Sequence, residues 1–215
     1  QTDLVREKQS VVDFKVKTKK LKKTKKNLLV WELETVKKNG VFPLNSMAFP
    51  ELNQTIPFTL EENGQVVQAG SYHEDSIFYS PIIVLPENKV KVGETWANNF
   101  RWRDSEDSPV YEMHVVSTHK GFVKCGSSKC VEIDVSGSVD ILGLDKEKND
   151  FRSSMKGRIY FDPKLGNIVY AHMSSHDEFI TESSRTESQS CLSSVLEKPE
   201  YLNVKNNQCY ISEWL

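Results

Sequence analysis

Val110-Tyr111-Glu112-Met113-His114-Val115-Val116-Ser117-Thr118 and, after a short break, Cys130-Val131-Glu132-Ile133-Asp134-Val135 decide the fold class. Val110, Glu112, His114 and Val116 alternate with Tyr111, Met113 and Val115, and Val131, Ile133 and Val135 alternate with Glu132 and Asp134. Side chains along a strand point to opposite faces in turn, so a period of two predicts half-buried β-strands. The first strand is expected to turn at Lys120-Gly121 into Phe122–Cys125, and His114 and His119 are expected to be separated by a turn. The second is expected to run on to Ile141.

Working outward, the same grammar recurs. Ser153–Phe161 and Asn167–Ser175 flank Asp162-Pro163-Lys164-Leu165-Gly166, a turn opened by Asp-Pro and closed by Gly. Ile159 and Phe161 are expected on one side, and Ile168 and Tyr170 likewise share a side. The strand continues through Phe179 to Thr181. Ile56–Leu60 and Gln65–Ala69 flank Asn63-Gly64, read as a type I′ hairpin in which both residues need positive φ. Ile77–Leu85 reads as a strand stopped by Pro86. Near the start, Ser10–Thr18 and Leu28–Val36 alternate as two strands joined by a lysine-rich turn.

No long segment has a helical period. The expectation is an all-β protein, an antiparallel sandwich or half-open barrel of long strands and hairpins with little helix. Residues 1–182 form the β-domain, as two similar halves meeting near 86–96, and 183–215 form an irregular, serine-rich tail pinned by cysteines. A short helix at Ser188–Leu196 is the one helical alternative in that tail.

The chain has 215 residues, 38% of them hydrophobic and 27% charged, which is enough to bury a core and excludes general disorder. No apolar run approaches the roughly 18 residues of a membrane helix. Four cysteines allow three pairings. Local closure favours Cys125 with Cys130 across Gly126–Lys129, and Cys191 with Cys209 in the tail. The spacing is a poor match to a zinc site. Disulfides place the chain in the periplasm, at the cell surface or on a secretory route. A start at Gln1 suits a processed exported protein, and a lipid anchor on a residue preceding Gln1 is compatible with it.

Val84-Leu85-Pro86-Glu87-Asn88-Lys89-Val90-Lys91-Val92-Gly93-Glu94-Thr95-Trp96 resembles the Leu-Pro-x-x-x-Val-x-Val-Gly-(Asp/Glu)-Thr-Trp segment of a family of uncharacterised exported bacterial β-proteins. The flanking order is similar over roughly residues 10–182. The resemblance implies an exported all-β protein and supplies no catalytic residues; the cysteines and the segment after Ser183 depart from it. Physically the motif reads as a strand stop at Pro86, a tight turn at Gly93 and a new strand from Thr95, with Trp96 as a core anchor.

The sharpest chemical feature is Lys15, Lys17, Lys19, Lys20, Lys22, Lys23, Lys25 and Lys26, eight lysines in twelve residues. The chain carries −2 overall and this run +8, leaving −10 elsewhere. Such segregation suits an anionic partner: another envelope protein, an anionic surface or a lipid headgroup. The plainer reading is a solvated turn that guards a sheet edge. Nucleic acid fits poorly, because no aromatics interleave with the lysines for base stacking.

The remaining polar residues form no catalytic pattern. His172 and His176, four apart on one strand face, lie about 13 Å apart by strand rise, too far for one metal. The carboxylate groups at Glu61-Glu62, Glu74-Asp75 and Asp104–Asp107 sit in polar loops, and no nucleophile elbow, phosphate loop or cofactor motif is present. The expectation is a non-catalytic structural or accessory protein acting through protein–protein contacts. The alternative is a carrier or sensor for a lipid-like anionic amphiphile, with Phe49, Ile56, Phe58, Ile77 and Phe78 lining a cavity.

Overall fold

The computed structural model describes residues 8–24, 26–198 and 201. The protein is all-β. Among the described residues, ten strands form two antiparallel sheets, neither closed into a barrel. The chain divides into two compact units, Gln1–Val84 and Leu85–Leu215.

The first unit holds a four-stranded sheet in sequence order: β1 (Asp13–Lys23), β2 (Leu29–Asn39), β3 (Thr55–Leu60) and β4 (Val66–Ala69). Its core is Ile56, Phe58, Val66, Ala69 and Phe78, with Leu33, Leu60 and Ile77 packed against it. A connection with a 3-10 turn at Asn45–Met47 joins β2 to β3. It is tied down from within. Thr35 donates its buried hydroxyl to the Pro50 carbonyl at 2.6 Å. Glu51 accepts from Lys38 Nζ at 2.6 Å and from the Leu44 amide at 2.6 Å. The Lys38 contact, opposed by desolvation and aided by the amides of Asn45 and Leu44, holds the Glu51 carboxyl below its ordinary range.

Three expectations for this unit are corrected. The lysine segment is not a turn: β1 runs on through Lys23, and only the short Thr24–Leu28 connection reverses the chain. Lysine alone disfavours a strand, but Lys17 and Lys19 lie opposite Glu34 and Glu32 of β2, and opposed charges stabilise that register. Ile77–Leu85 is not a strand. It makes a 3-10 turn at Ile77–Tyr79 and then runs without ladder bonds, although Phe78, Ile83 and Val84 are buried. Its apolar residues fill the core, and Pro81 lacks the amide that a ladder needs. The Asn63-Gly64 turn has positive φ at Gly64 alone (92°). Asn63 instead accepts the Gln65 amide on its side-chain oxygen.

The second unit is a six-stranded sheet of order β10-β9-β8-β7-β6-β5. The strands are β5 (Thr95–Trp102), β6 (Val110–Cys125), β7 (Ser128–Leu142), β8 (Asn149–Asp162), β9 (Asn167–Thr181) and β10 (Arg185–Val195). The register gives it two unlike faces. Val115, Val135, Ile133, Ile159 and Met173 fall on one face with Phe100. The other carries Arg101, Glu112, His114, Asp134, Arg158 and His176. This is the alternation that the sequence pattern demands of a sheet with one core face.

The segment Leu85–Trp96 makes the expected turn at Gly93 and starts a strand at Thr95, but Pro86 ends no strand and Trp96 is half-buried rather than a core anchor. Glu94 donates its amide to the Lys91 carbonyl, and Gly93 takes φ 90°, which a side chain would strain. The turn then joins β6, with Gly93 N–H on His119 O at 2.7 Å and His119 N–H on Glu94 O at 3.0 Å. Trp96 is half-buried opposite Ser117.

Here too the structure departs from expectation. β6 does not turn at Lys120-Gly121. It continues to Cys125 through a bulge between His119 and Gly121, so His114 and His119 belong to one strand. Ile168 and Tyr170 do not share a side: a bulge sets them opposite Phe161 and Tyr160, adjacent residues of β8. The stretch after Ser183 is neither irregular throughout nor helical. Arg185–Val195 forms β10, paired residue for residue with Ile180–Tyr170. Past β10 the chain crosses the β8–β9 turn, where Tyr201 joins Cys125, Cys130 and Val169 in a small second core.

Candidate functional site

β1 is an edge strand, and six of its eleven residues are lysines: Lys15, Lys17, Lys19, Lys20, Lys22 and Lys23. All six are exposed. Lys26 lies in the adjoining turn, and Lys25 lies outside the described residues. The turn is closed by Thr24 N–H on Leu28 O at 2.8 Å and by Asn27 at φ 63°, a conformation asparagine tolerates.

Two bulges break the β1–β2 ladder, between Lys15 and Val16 and between Lys20 and Lys22. They change which face each lysine meets. Lys17 and Lys19 share a face with Glu34 and Glu32, whereas Lys20 lies opposite Trp31. Leu21, the extra residue of the second bulge, is 42% exposed. Lys23 reaches Glu62 on the β3–β4 turn at 2.6 Å. That hydrogen bond, with the charges of Lys23 and Lys20, holds the Glu62 carboxyl below its ordinary range. The inner side of β1 is thus matched by acids of its own unit, while its outer main-chain edge pairs with no described strand.

The charged face of the six-stranded sheet is different in kind, because its charges meet one another. Arg158 lies 3.0 Å from Asp134 and 3.1 Å from Glu132, His176 lies 2.9 Å from Glu187, and Arg152 lies 2.7 Å from Asp150. His114 sits between Glu112 and Asp140 at 3.4 and 3.3 Å, with Asn99 on its other ring nitrogen. A hollow of about 180 Å³ lies among Arg152, Ser154, His176 and Glu178. That is smaller than the roughly 300–1,000 Å³ usual for small-molecule sites.

Cys125 and Cys130 form a disulfide with a Cα–Cα distance of 5.9 Å across the β6–β7 hairpin. Cys191 is on β10, with its sulfur 4.0 Å from His172 Nε2. Cys209 lies outside the described residues, and with it the expected Cys191–Cys209 pairing. Of the residues assigned to a lipid cavity, Ile56, Phe58 and Phe78 form the core of the first unit with Ile77 against them, and Phe49 packs against Phe14 with the rings tilted by 60°. The hairpin neck was expected from the sequence, but its exposed Phe122, flanked by Lys124 and Lys129, was missed. The signal was the near-symmetric Lys124-Cys125…Lys129-Cys130.

No family model matches the chain, and no curated protein or solved structure matches it either.

Proposed function

We propose that this is a non-catalytic, exported or envelope-associated protein that works as an accessory component through protein–protein contacts, with β1 as its docking edge. The observation that carries the reading is the position of the lysines on an edge strand. An open edge offers main-chain donors and acceptors to an added strand. Rows of lysine repel a basic strand, including a second copy of β1, and attract an acidic one. Glu32 and Glu34 on the inner side of β1 model the chemistry expected on its outer side. The partner is therefore an acidic extended segment of another envelope protein.

The disulfide supports an oxidising compartment. The carrier reading has less support, because the aromatic and aliphatic residues it assigns to a cavity are occupied with one another in packing.

The test is capture from native envelope extract by the full chain and by a variant with Lys19, Lys20, Lys22, Lys23, Lys25 and Lys26 changed to Gln. A defined protein retained by the first and lost by the second supports the docking edge. Equal capture by both removes the lysines from the account.

A further inference from the structure

We propose that the end of the six-stranded sheet at the Cys125–Cys130 hairpin docks on an anionic lipid surface, with Phe122 as the apolar anchor and Lys124 and Lys129 as headgroup contacts. This surface is separate from β1, and the proposal does not rest on the docking edge.

The hairpin turns through Gly126-Ser127, with Cys125 opposite Ser128 and Lys124 opposite Lys129. Two lysines directly opposed in a ladder repel each other, a destabilising arrangement in a free protein. The disulfide beside them keeps the strands together. Its sulfurs are fully buried on the other face, against Val169 and Tyr201. Covalent closure on one face therefore holds a repulsive cation pair on the other. An anion between the two ammonium groups relieves that repulsion.

Phe122 belongs to the lysine face and is 52% exposed. Lys129 Nζ stands 4.1 Å from the centre of its ring, and His119 meets it edge-on at 5.4 Å. Behind it the register continues through Val131, Phe161 and Ile168, an apolar row across four strands. The neighbouring connections at this end repeat the combination. Val92, 57% exposed, follows Lys91 in the loop that closes on His119, and Leu165, 38% exposed, follows Lys164 in the β8–β9 turn.

Several acids at this end are already engaged. Asp162 is buried and bonded to Tyr201, Glu94 accepts the Lys91 amide, and Glu132 and Asp134 meet Arg158. Exposed apolar side chains set among lysines are the pattern of an interfacial membrane contact.

The experiment is co-sedimentation of the full chain with vesicles of phosphatidylglycerol and phosphatidylcholine in equal parts, beside vesicles of phosphatidylcholine alone. The native chain is expected on the anionic vesicles. Lys124→Gln with Lys129→Gln should weaken binding about thirtyfold, from the attraction of two lysines near such a surface. Phe122→Ser should weaken it severalfold and Phe122→Leu restore it. Lys146→Gln with Lys148→Gln removes the same charge from the β7–β8 connection, at the opposite end of the sheet, and should change binding little. The proposal is overturned if the native chain binds neither vesicle. It is also overturned if the Lys146 and Lys148 variant loses as much as the hairpin variant, or if Phe122→Ser binds as the native chain does. All of these positions are exposed, and an unchanged circular dichroism spectrum confirms that each variant is folded.

Discussion

Tyr201 donates its hydroxyl to Asp162 Oδ2 at 2.7 Å, and both side chains are buried. The carboxylate also accepts the amides of Lys164 and Leu165 within its own turn. The bond fastens the segment after β10 to the β8–β9 turn. Tyr201→Phe keeps the ring and removes the donor, so it is expected to cost about 1.5–3 kcal/mol, as for hydrogen bonds to charged groups. Urea unfolding of the two chains measures this.

The same group gives a pH dependence. Burial pushes the Asp162 carboxyl up, but the Tyr201 hydroxyl, the two turn amides and Ser128 outweigh it and hold the pKa below its ordinary 3.8. A depressed folded pKa stabilises the protein above the unfolded value, and that stability is lost as pH falls toward the folded value. The native chain should lose this increment below about pH 4. Tyr201→Phe should flatten that acid limb. Urea midpoints measured from pH 6 downward show the difference, and parallel limbs would remove Asp162 from the account.

Gly137 on β7 has no room for a side chain: a Cβ there would lie 2.2 Å from the His114 carbonyl of β6. The obstacle is backbone, so it cannot swing aside. Gly137→Ala is expected to destabilise by roughly 1–3 kcal/mol. Gly93→Ala meets nothing within 4 Å and is strained only through its φ of 90°. Comparing the two thermal midpoints separates crowding from backbone strain.

Cys125 and Cys130 close a loop of only six residues, so their bond constrains the unfolded chain modestly. On loop-closure entropy alone it contributes about 2 kcal/mol. Replacing both with Ser should lower stability by about that amount while leaving a folded sheet, because β6 and β7 pair over fifteen registered positions. Denaturant midpoints with and without the bond test it.

The long strands were legible because one of their faces is apolar. β7 and β9 announce themselves through Val131, Ile133, Val135 and Ile168, and the Asp-Pro…Gly turn marks where β8 ends. β10 was invisible for the converse reason. Thr186–Ser194 is almost wholly polar and mostly exposed, so no hydrophobic period exists, and its strand is set by pairing with β9. Ile77–Leu85 failed in the opposite direction: burial without a ladder gives an apolar run that looks like a strand. The lysine cluster was plain in the sequence. Its geometry was not, because the pairing of Lys17 with Glu34 and Lys19 with Glu32 depends on a bulge at Val36 of β2 that no local pattern encodes.

The most direct test of the docking edge is a photo-reactive residue at Leu21, the exposed bulge position of β1, irradiated in the intact envelope and followed by sequencing of the attached peptide. The account predicts one dominant adduct, to an Asp- and Glu-rich segment of a single protein, which disappears when Lys17 and Lys19 are changed to Glu. Adducts scattered over many proteins, or a dominant adduct that survives the charge reversal, would contradict it.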